Sequence, residues 1–192
     1  KALEMMKTME ELFWDEKRGG FFFTGVDSEE LIIRPKEIFD GAMPSGNSVM
    51  VYNLLKLSRY LADETLEEKA HEILWAFSEE IDTYPLGHCF SLMALLTAVM
   101  PPKEIVISGE ARAQDTLSMI RTVAQQYLPE AITLLNPVGR EGDELRKTLP
   151  YLKEMVPLRN TRATAYVCEN FACKAPVQDI PKLIEVLNQV PG

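Results

Sequence analysis

The 192-residue chain has little cysteine, no run of basic residues and no long apolar segment. Its three cysteines, Cys89, Cys168 and Cys173, are too few and too odd in number for the disulfide framework of a secreted protein, so we expect a reducing, cytoplasmic location. No apolar stretch approaches the roughly 18 residues that a membrane span needs, and we expect no membrane insertion. Without a basic cluster to neutralise phosphates, we expect no nucleic-acid partner.

The acidic charge is concentrated in the first half of the chain. Residues 1–100 carry 9 Lys and Arg against 18 Asp and Glu, whereas residues 101–192 carry 11 of each. The net charge of −9 therefore comes entirely from the first half. This imbalance predicts two differently built halves.

The first half, residues 1–102, has the periodicity of helices. Apolar residues at helical spacing predict helices over Ala2–Phe13, Val49–Ala62, Thr65–Ile81 and His88–Val99. The last of these is apolar on nearly every side, so it needs cover from several directions. Gly19 and Gly20, ahead of three phenylalanines, predict a short β element. We expect antiparallel helical hairpins with this β element inserted.

The second half, residues 103–192, alternates between strand and helix patterns. Strands are predicted at Ile105–Ile107, Ile132–Leu135 and Ala163–Val167, each followed by a helix (Asp115–Tyr127, Asp143–Met155 and Ile180–Val190). This alternation predicts a small α/β unit with three parallel strands in a βαβαβα order. Ligands in such sheets bind where the strands end. No dinucleotide fingerprint or phosphate-binding loop is present, and we expect no cofactor.

The loop before the second helix carries polar groups suited to a ligand. Asp40, Ser45, Asn47 and Ser48 supply a carboxylate, two hydroxyls and an amide, which can pair with sugar hydroxyls. The same residue types also serve in any tight turn before a helix. His88 opens the apolar helix, where it is either a proton carrier facing a cavity or a buried structural histidine.

Cys168 and Cys173 form a C-x4-C pair at the end of the third predicted strand. The spacing differs from the C-x-x-C of thioredoxin-type redox motifs. Two cysteines without a nearby histidine do not make a zinc site, and we expect no metal. A disulfide or redox-responsive pair therefore stands as the alternative to two cysteines that simply pack.

Four segments together resemble one family: Phe13–Gly25, Ile32–Val49, Glu104–Gly109 and Thr164–Asp179. They are similar to the C-terminal part of thioredoxin-domain-containing proteins of the YyaL and spermatogenesis-associated type. The resemblance implies an N-terminal thioredoxin-like domain, absent from this chain, and a six-hairpin (α/α) toroid similar to N-acylglucosamine 2-epimerases and six-hairpin glycosidases. The chain begins at Lys1, already in a helical pattern, and we expect it to be a fragment holding a partial toroid.

Three hypotheses for function follow. In the first, the chain is a structural and ligand-presenting portion of a larger protein whose biochemical role is unassigned. In the second, it is part of a carbohydrate-active toroid, epimerase-like or glycan-processing, with Asp40 and His88 as catalytic residues and Trp14, Ser45 and Asn47 as substrate-binding residues. Fold-level likeness to sugar epimerases does not itself establish a reaction.

In the third hypothesis, the chain is a redox-responsive module that uses Cys168 and Cys173.

The partial toroid also has a consequence for partners. Because two or three hairpins cannot close a toroid, the helices Val49–Leu61 and His88–Val99 are expected to leave apolar surface uncovered. We expect self-association, or docking onto the missing N-terminal domains of the same protein, and a carbohydrate as the candidate ligand.

Overall fold

The computed structural model describes residues 1–29, 32–129, 131–158, 162–169 and 172–189. In these ranges the chain forms eight α-helices and four β-strands, and it divides into two compact units, Lys1–Val99 and Met100–Gly192. The helical unit holds α1 (Ala2–Phe13), α2 (Gly46–Leu61), α3 (Glu64–Ala76), α4 (Ser78–Thr83) and α5 (Cys89–Val99). The second unit holds β1 (Lys103–Gly109), α6 (Gln114–Ala124), β2 (Ala131–Pro137), α7 (Arg140–Thr148), β3 (Thr164–Glu169), β4 (Ala172–Cys173) and α8 (Ile180–Leu187).

Helix α2 shows how a cap sets the start of a helix. The apolar spacing starts this helix at Val49, but the N-cap is Ser45, whose hydroxyl oxygen accepts the Ser48 N–H at 3.0 Å. A capping oxygen reaches the backbone N–H three residues on, so the helix begins at Gly46. The predicted bounds of α1 are confirmed.

The helix predicted over Thr65–Ile81 is in fact two helices. The backbone leaves helical geometry at Phe77 (φ −115°, ψ 12°), and α4 starts at the next residue. Phe77 is buried in the core of the helical unit, as Ile73 of α3 and Ile81 of α4 are. Periodicity could not show this break, because Ile81 continues the apolar stripe across it.

The core of the helical unit forms around α2, which packs against α3 and α5. Its buried members come from every helix of the unit and include Met6, Val51, Leu54, Leu55, Ala70, Ile73 and Ala94. Among the described residues of the predicted β element there are two isolated bridges, Trp14 to Phe21 and Phe22 to Lys36.

The sheet of the second unit has the strand order β2-β1-β3-β4. Strands β1 and β2 are parallel, with Ile105 opposite Thr133, and α6 connects them as predicted. The prediction of three parallel strands is wrong. Strand β3 runs antiparallel to β1, with Tyr166 opposite Val106, and the short β4 is antiparallel to β3.

The connection between β2 and β3 explains the reversal. After α7 and a short 3-10 turn, Pro150–Lys153, the chain has roughly ten further residues before β3 begins. The carbonyls of Leu152 and Met155 accept from the Asn136 amide, so the connection stays at the edge of the sheet where β2 ends. β3 begins at that edge, with Thr164 opposite Ser108 at the end of β1, and it therefore runs back antiparallel to β1. The Tyr166 hydroxyl donates to the carbonyl of Val156 and holds part of this connection beside β3.

The core of the second unit lies on one face of the sheet. Ile105 and Ile107 of β1 and Val167 of β3 pack there against α6 and α8. Alternate residues of a strand point to opposite faces, so Val106 and Tyr166 belong to the other face, where both are buried. Cover on both faces explains why β1 is buried along nearly its whole length.

Candidate functional site

Asp15 holds the tight turn that follows α1. Its side chain accepts hydrogen bonds from the backbone N–H of Lys17 at 3.0 Å and of Arg18 at 3.3 Å. The Lys36 ammonium donates to its second oxygen at 2.8 Å and to the carbonyl of Gly19 at 2.7 Å. The bond from Lys36 holds the pKa of Asp15 below its ordinary value, although burial acts in the opposite direction.

The Gly-Gly pair in this turn is required by its backbone. Gly19 and Gly20 have φ of +67° and +79°, a region that other residues rarely adopt. A Cβ at Gly20 would also lie 2.9 Å from the ring of Phe77. The turn therefore passes against the core of the helical unit, and only glycine fits there.

Trp14, predicted to bind substrate, contacts other side chains of the chain. It packs edge-on against Phe21, with 5.0 Å between ring centroids. The ammonium of Lys69 lies 4.9 Å from its ring centroid and also pairs with Glu10. Burial lowers the pKa of Lys69. These contacts give Trp14 a packing role.

Asn47 ties two loop segments to the start of α2. Its Oδ1 accepts the N–H of Phe21 at 2.7 Å, and its Nδ2 donates to the carbonyls of Phe21 at 2.9 Å and Glu37 at 2.8 Å. The side chain is 3% exposed. Asn47 also lines a small recess of about 260 Å³ together with Phe13 and Phe22. Because both of its N–H donors are used, it could offer a ligand only part of one oxygen.

Asp40, predicted to be catalytic, joins the loop to α5. One oxygen accepts the Ser45 N–H at 2.9 Å. The other accepts the N–H groups of Phe90 at 2.8 Å and Ser91 at 3.0 Å, which are orphan donors in the first turn of α5. Asp40 thus acts as an N-cap supplied from about fifty residues away, and its negative charge is favourable at a helix N-terminus.

A chain of buried hydroxyls continues from this contact. The Ser45 and Ser48 oxygens are 2.7 Å apart, and the Ser48 and Ser91 oxygens are also 2.7 Å apart. Ser48 and Ser91 have no exposed surface. The hydroxyls therefore satisfy one another and connect α2 with α5.

His88 is 4% exposed at the start of α5. Its Nδ1 lies 2.8 Å from the carbonyl of Tyr84, and because a carbonyl only accepts, the proton is on Nδ1. The ring stands edge-on to Phe39 and Tyr84, with centroid distances of 6.1 Å and 6.5 Å. These are the surroundings of a buried structural histidine, and its catalytic role remains a prediction.

A groove of about 1620 Å³ lies on the helical unit. Its walls combine apolar side chains, among them the 83% exposed Trp75, with an acidic margin. The carboxylates of that margin are Glu16, Glu68, Glu72, Glu79 and Asp82, against the cations Lys17 and Arg18. The groove is lined by none of the predicted ligand-binding or catalytic residues Trp14, Asp40, Ser45, Asn47 and His88.

In the second unit, Cys168 and Cys173 are joined by a disulfide between β3 and β4. The two residues are directly opposite each other in the strand register. Next to them, Glu169 pairs with Lys103 at 3.1 Å and Lys174 at 3.3 Å. Burial would raise the pKa of Glu169, but the hydrogen bonds from these two lysines outweigh it and lower the pKa.

The sheet edge where β1 and β2 end carries a different network. The amide of Asn136 donates to the carbonyls of Leu152 at 3.1 Å and Met155 at 2.6 Å, and its oxygen accepts from Arg146 at 2.6 Å. Sequence reasoning placed the end of the third strand at this same edge. Because β3 is antiparallel, its last residue Glu169 pairs with Lys103 at the opposite end of β1.

The structure therefore brings the predicted residues together in three separate places. Trp14 and Asn47 meet at Phe21, Asp40 and Ser45 meet at the start of α5 with His88 beside them, and the two cysteines lie in the other unit. Sequence reasoning identified neither Lys36, which binds Asp15, nor Ser91, which bonds to Ser48 and Asp40. The sequence carried no local signal for them, since the bonds Lys36–Asp15 and Ser48–Ser91 join residues 21 and 43 positions apart.

The fold and these contacts define a two-unit segment with helical hairpins and a mixed α/β sheet, in which buried polar side chains fasten loops to helices. Over 97% of its length the chain is 35% identical to spermatogenesis-associated protein 20 of Homo sapiens. It is 33% identical to the protein of that name from Mus musculus and 28% identical to an uncharacterized protein of Caenorhabditis elegans, each over 98% of its length. The chain spans about a quarter of the length of these curated relatives, 24%, 24% and 25% respectively. No family model matches it.

Two general features of the described residues complete this description. None of the helices they form is both long and apolar enough to cross a membrane. Among the same residues, no group of three or more His, Cys, Asp or Glu side chains gathers as a metal site.

Proposed function

We propose that this chain is the C-terminal structural segment of a larger protein, and that its helical unit docks against helices of the same polypeptide. The observation that carries the proposal is the uncovered face of α5. That helix contains no charged residue, and Met93, Leu96 and Val99 are 43%, 54% and 68% exposed. Apolar side chains clustered in this way at a surface are typical of an interface.

Neighbouring surface extends this face. Leu95 of α5 is 38% exposed and lines the groove together with Trp75 and Leu92. Leu86, just before α5, is 80% exposed. The relatives have about three quarters of their length outside the matched part, which is enough polypeptide to supply the covering helices. The toroid implied by the family resemblance is one arrangement in which preceding hairpins would cover α5.

Charge favours a different segment over a second copy of this one. The groove beside α5 has five carboxylates against two permanent cations among its described lining residues. A second copy would bring the same acidic margin, and like charges brought together at an interface cost several kcal/mol. We therefore expect the occupant to be a helix with an apolar face and basic flanks.

Titration of the chain with a separately expressed fragment that holds the rest of its own full-length polypeptide tests this proposal. We expect saturable binding by calorimetry, weakened about tenfold or more by Leu96→Asp combined with Val99→Asp, because a charge would be buried without a partner. Met5→Asp is the matched control, since it places the same charge on another helix, α1, where Met5 is 59% exposed, and it should leave binding unchanged. Self-association through α5 without binding of the larger fragment, or no binding at all, would contradict the proposal.

The carbohydrate hypothesis makes a separate prediction. If the loop that contains Asp40 and Asn47 binds sugars, a panel of sugars should raise the melting temperature of the intact protein. We favour the structural function because every hydrogen bond recorded for these two side chains goes to the backbone.

A further inference from the structure

The disulfide between Cys168 and Cys173 is built asymmetrically. Cys168 is 1% exposed, whereas Cys173 lies on the exposed two-residue strand β4. A thiolate can attack a disulfide only at a sulfur that it can reach. The two residues of this bond therefore differ in exposure, and we expect Cys173 to be the one that a thiol in solution reaches.

We propose that Cys168 and Cys173 form a thiol–disulfide exchange site, in which an external thiol of the glutathione class attacks Cys173 and releases Cys168. In the first step the thiolate forms a new S–S bond to Cys173, the Cys168–Cys173 bond breaks, and Cys168 leaves as a thiolate that takes up a proton. In the second step, a second external thiolate attacks the external sulfur of the mixed disulfide. The bond from that sulfur to Cys173 breaks, and Cys173 leaves as a thiolate that takes up a proton. Two external thiols are oxidised to one disulfide, and the two cysteines are reduced.

Because of its position in the sheet, reduction of this disulfide is expected to release strand β4. Strand β4 is paired with β3 only through Cys173 opposite Cys168 and Ala172 opposite Glu169, as far as the described residues go. The N–H of Lys174 donates to the carbonyl of Val167 at 2.9 Å, and the Lys174 ammonium reaches Glu169 at 3.3 Å. An edge strand of two residues makes few hydrogen bonds to its neighbour. The disulfide is therefore the covalent link that keeps β4 beside β3.

A second segment beside β3 provides an internal reference. Val177 exchanges two backbone hydrogen bonds with Ala165, at 2.8 Å and 2.9 Å, and Val177 is buried. This bridge does not involve either sulfur. Reduction should therefore release β4 and leave the Val177 bridge in place.

Equilibration of the folded chain in glutathione redox buffers, followed by acid quenching, alkylation and mass spectrometry, tests the site. Cys89→Ser removes the other cysteine, which is free and exposed. We expect the pair to convert in a single two-electron transition, and the trapped glutathione adduct to be on Cys173. A pair that stays oxidised until the chain unfolds, or an adduct mainly on Cys168, would overturn the proposal.

Single-cysteine variants measure the asymmetry directly. In the Cys89→Ser background, Cys168→Ser leaves Cys173, and Cys173→Ser leaves Cys168. We expect iodoacetamide to modify the first protein about tenfold or more faster than the second, because only the exposed thiol is accessible. Equal rates refute the assigned polarity, and the adduct mapping on the native pair gives the same test if either variant fails to fold.

Hydrogen exchange measures the structural response. On reduction we expect faster exchange at the N–H of Lys174 and unchanged exchange at the N–H of Val177. Identical exchange of both amides in the oxidised and reduced chains would show that the disulfide does not hold β4, and would contradict the proposed response.

Discussion

Replacement of Asn47 by alanine separates a structural role from a ligand-binding role. The change removes three hydrogen bonds of 2.7–2.9 Å and leaves the N–H and C=O of Phe21 and the C=O of Glu37 without this partner. At about 1 kcal/mol per bond, the free energy of unfolding should fall by about 3 kcal/mol. A structural residue gives this loss whether or not a ligand is present.

Tryptophan fluorescence is a suitable measure, because both tryptophans, Trp14 and Trp75, lie in the helical unit. With a urea dependence of about 1.5 kcal/mol per molar, the midpoint of unfolding should fall by about 2 M. The matched control is Asn53→Ala, the same substitution at an exposed position of the same helix. It should change stability by only a few tenths of a kcal/mol, in the stabilising direction, because alanine has the higher helix propensity.

A shift of the Asn47→Ala midpoint no larger than that of Asn53→Ala would refute this reasoning. It would mean that the three bonds contribute nothing net, so that the amide is available for another purpose. Loss of a sugar-dependent thermal shift without loss of stability would point the same way, toward the carbohydrate hypothesis.

Three further predictions concern other polar contacts. Asp40→Ala should lower the stability of the helical unit by about 2 kcal/mol, measured by urea unfolding, because the first turn of α5 loses its cap; an unchanged midpoint would argue against capping. The lowered pKa of Asp15 means that its contribution is complete above its ordinary value of 3.8 and is lost as the pH falls below it. Lys36→Met should therefore be less stable than the wild type near neutral pH, with a difference that narrows below about pH 4; a constant difference across that range would contradict the pairing. In the second unit, Asn136→Ala should cost about 2 kcal/mol, because two carbonyls lose their donor, and hydrogen exchange should quicken around residues 150–156; unchanged protection there would refute the role of this amide.

The sequence could predict features that depend on neighbouring residues. Helix α1 has the predicted bounds, α5 ends at Val99 as predicted, and β1 and β2 are the parallel pair that strand–helix–strand alternation indicates. Each of these follows from the spacing of apolar side chains over a few turns of helix or one strand, and from the right-handed connection between parallel strands.

Tertiary structure alone decided which distant groups meet. The direction of β3 depends on the path of the chain after α7, and a connection of roughly ten residues permits either direction. Asp40 caps a helix fifty positions later in the sequence, and Lys36 binds Asp15, which is 21 positions before it. Both contacts form because folding brings those loops together. Local residue patterns determine whether a segment forms a helix or a strand, and which of its faces is apolar. They do not determine the partner of a buried polar group. That partner depends on which backbone donors and acceptors are left without a hydrogen bond after the helices have packed.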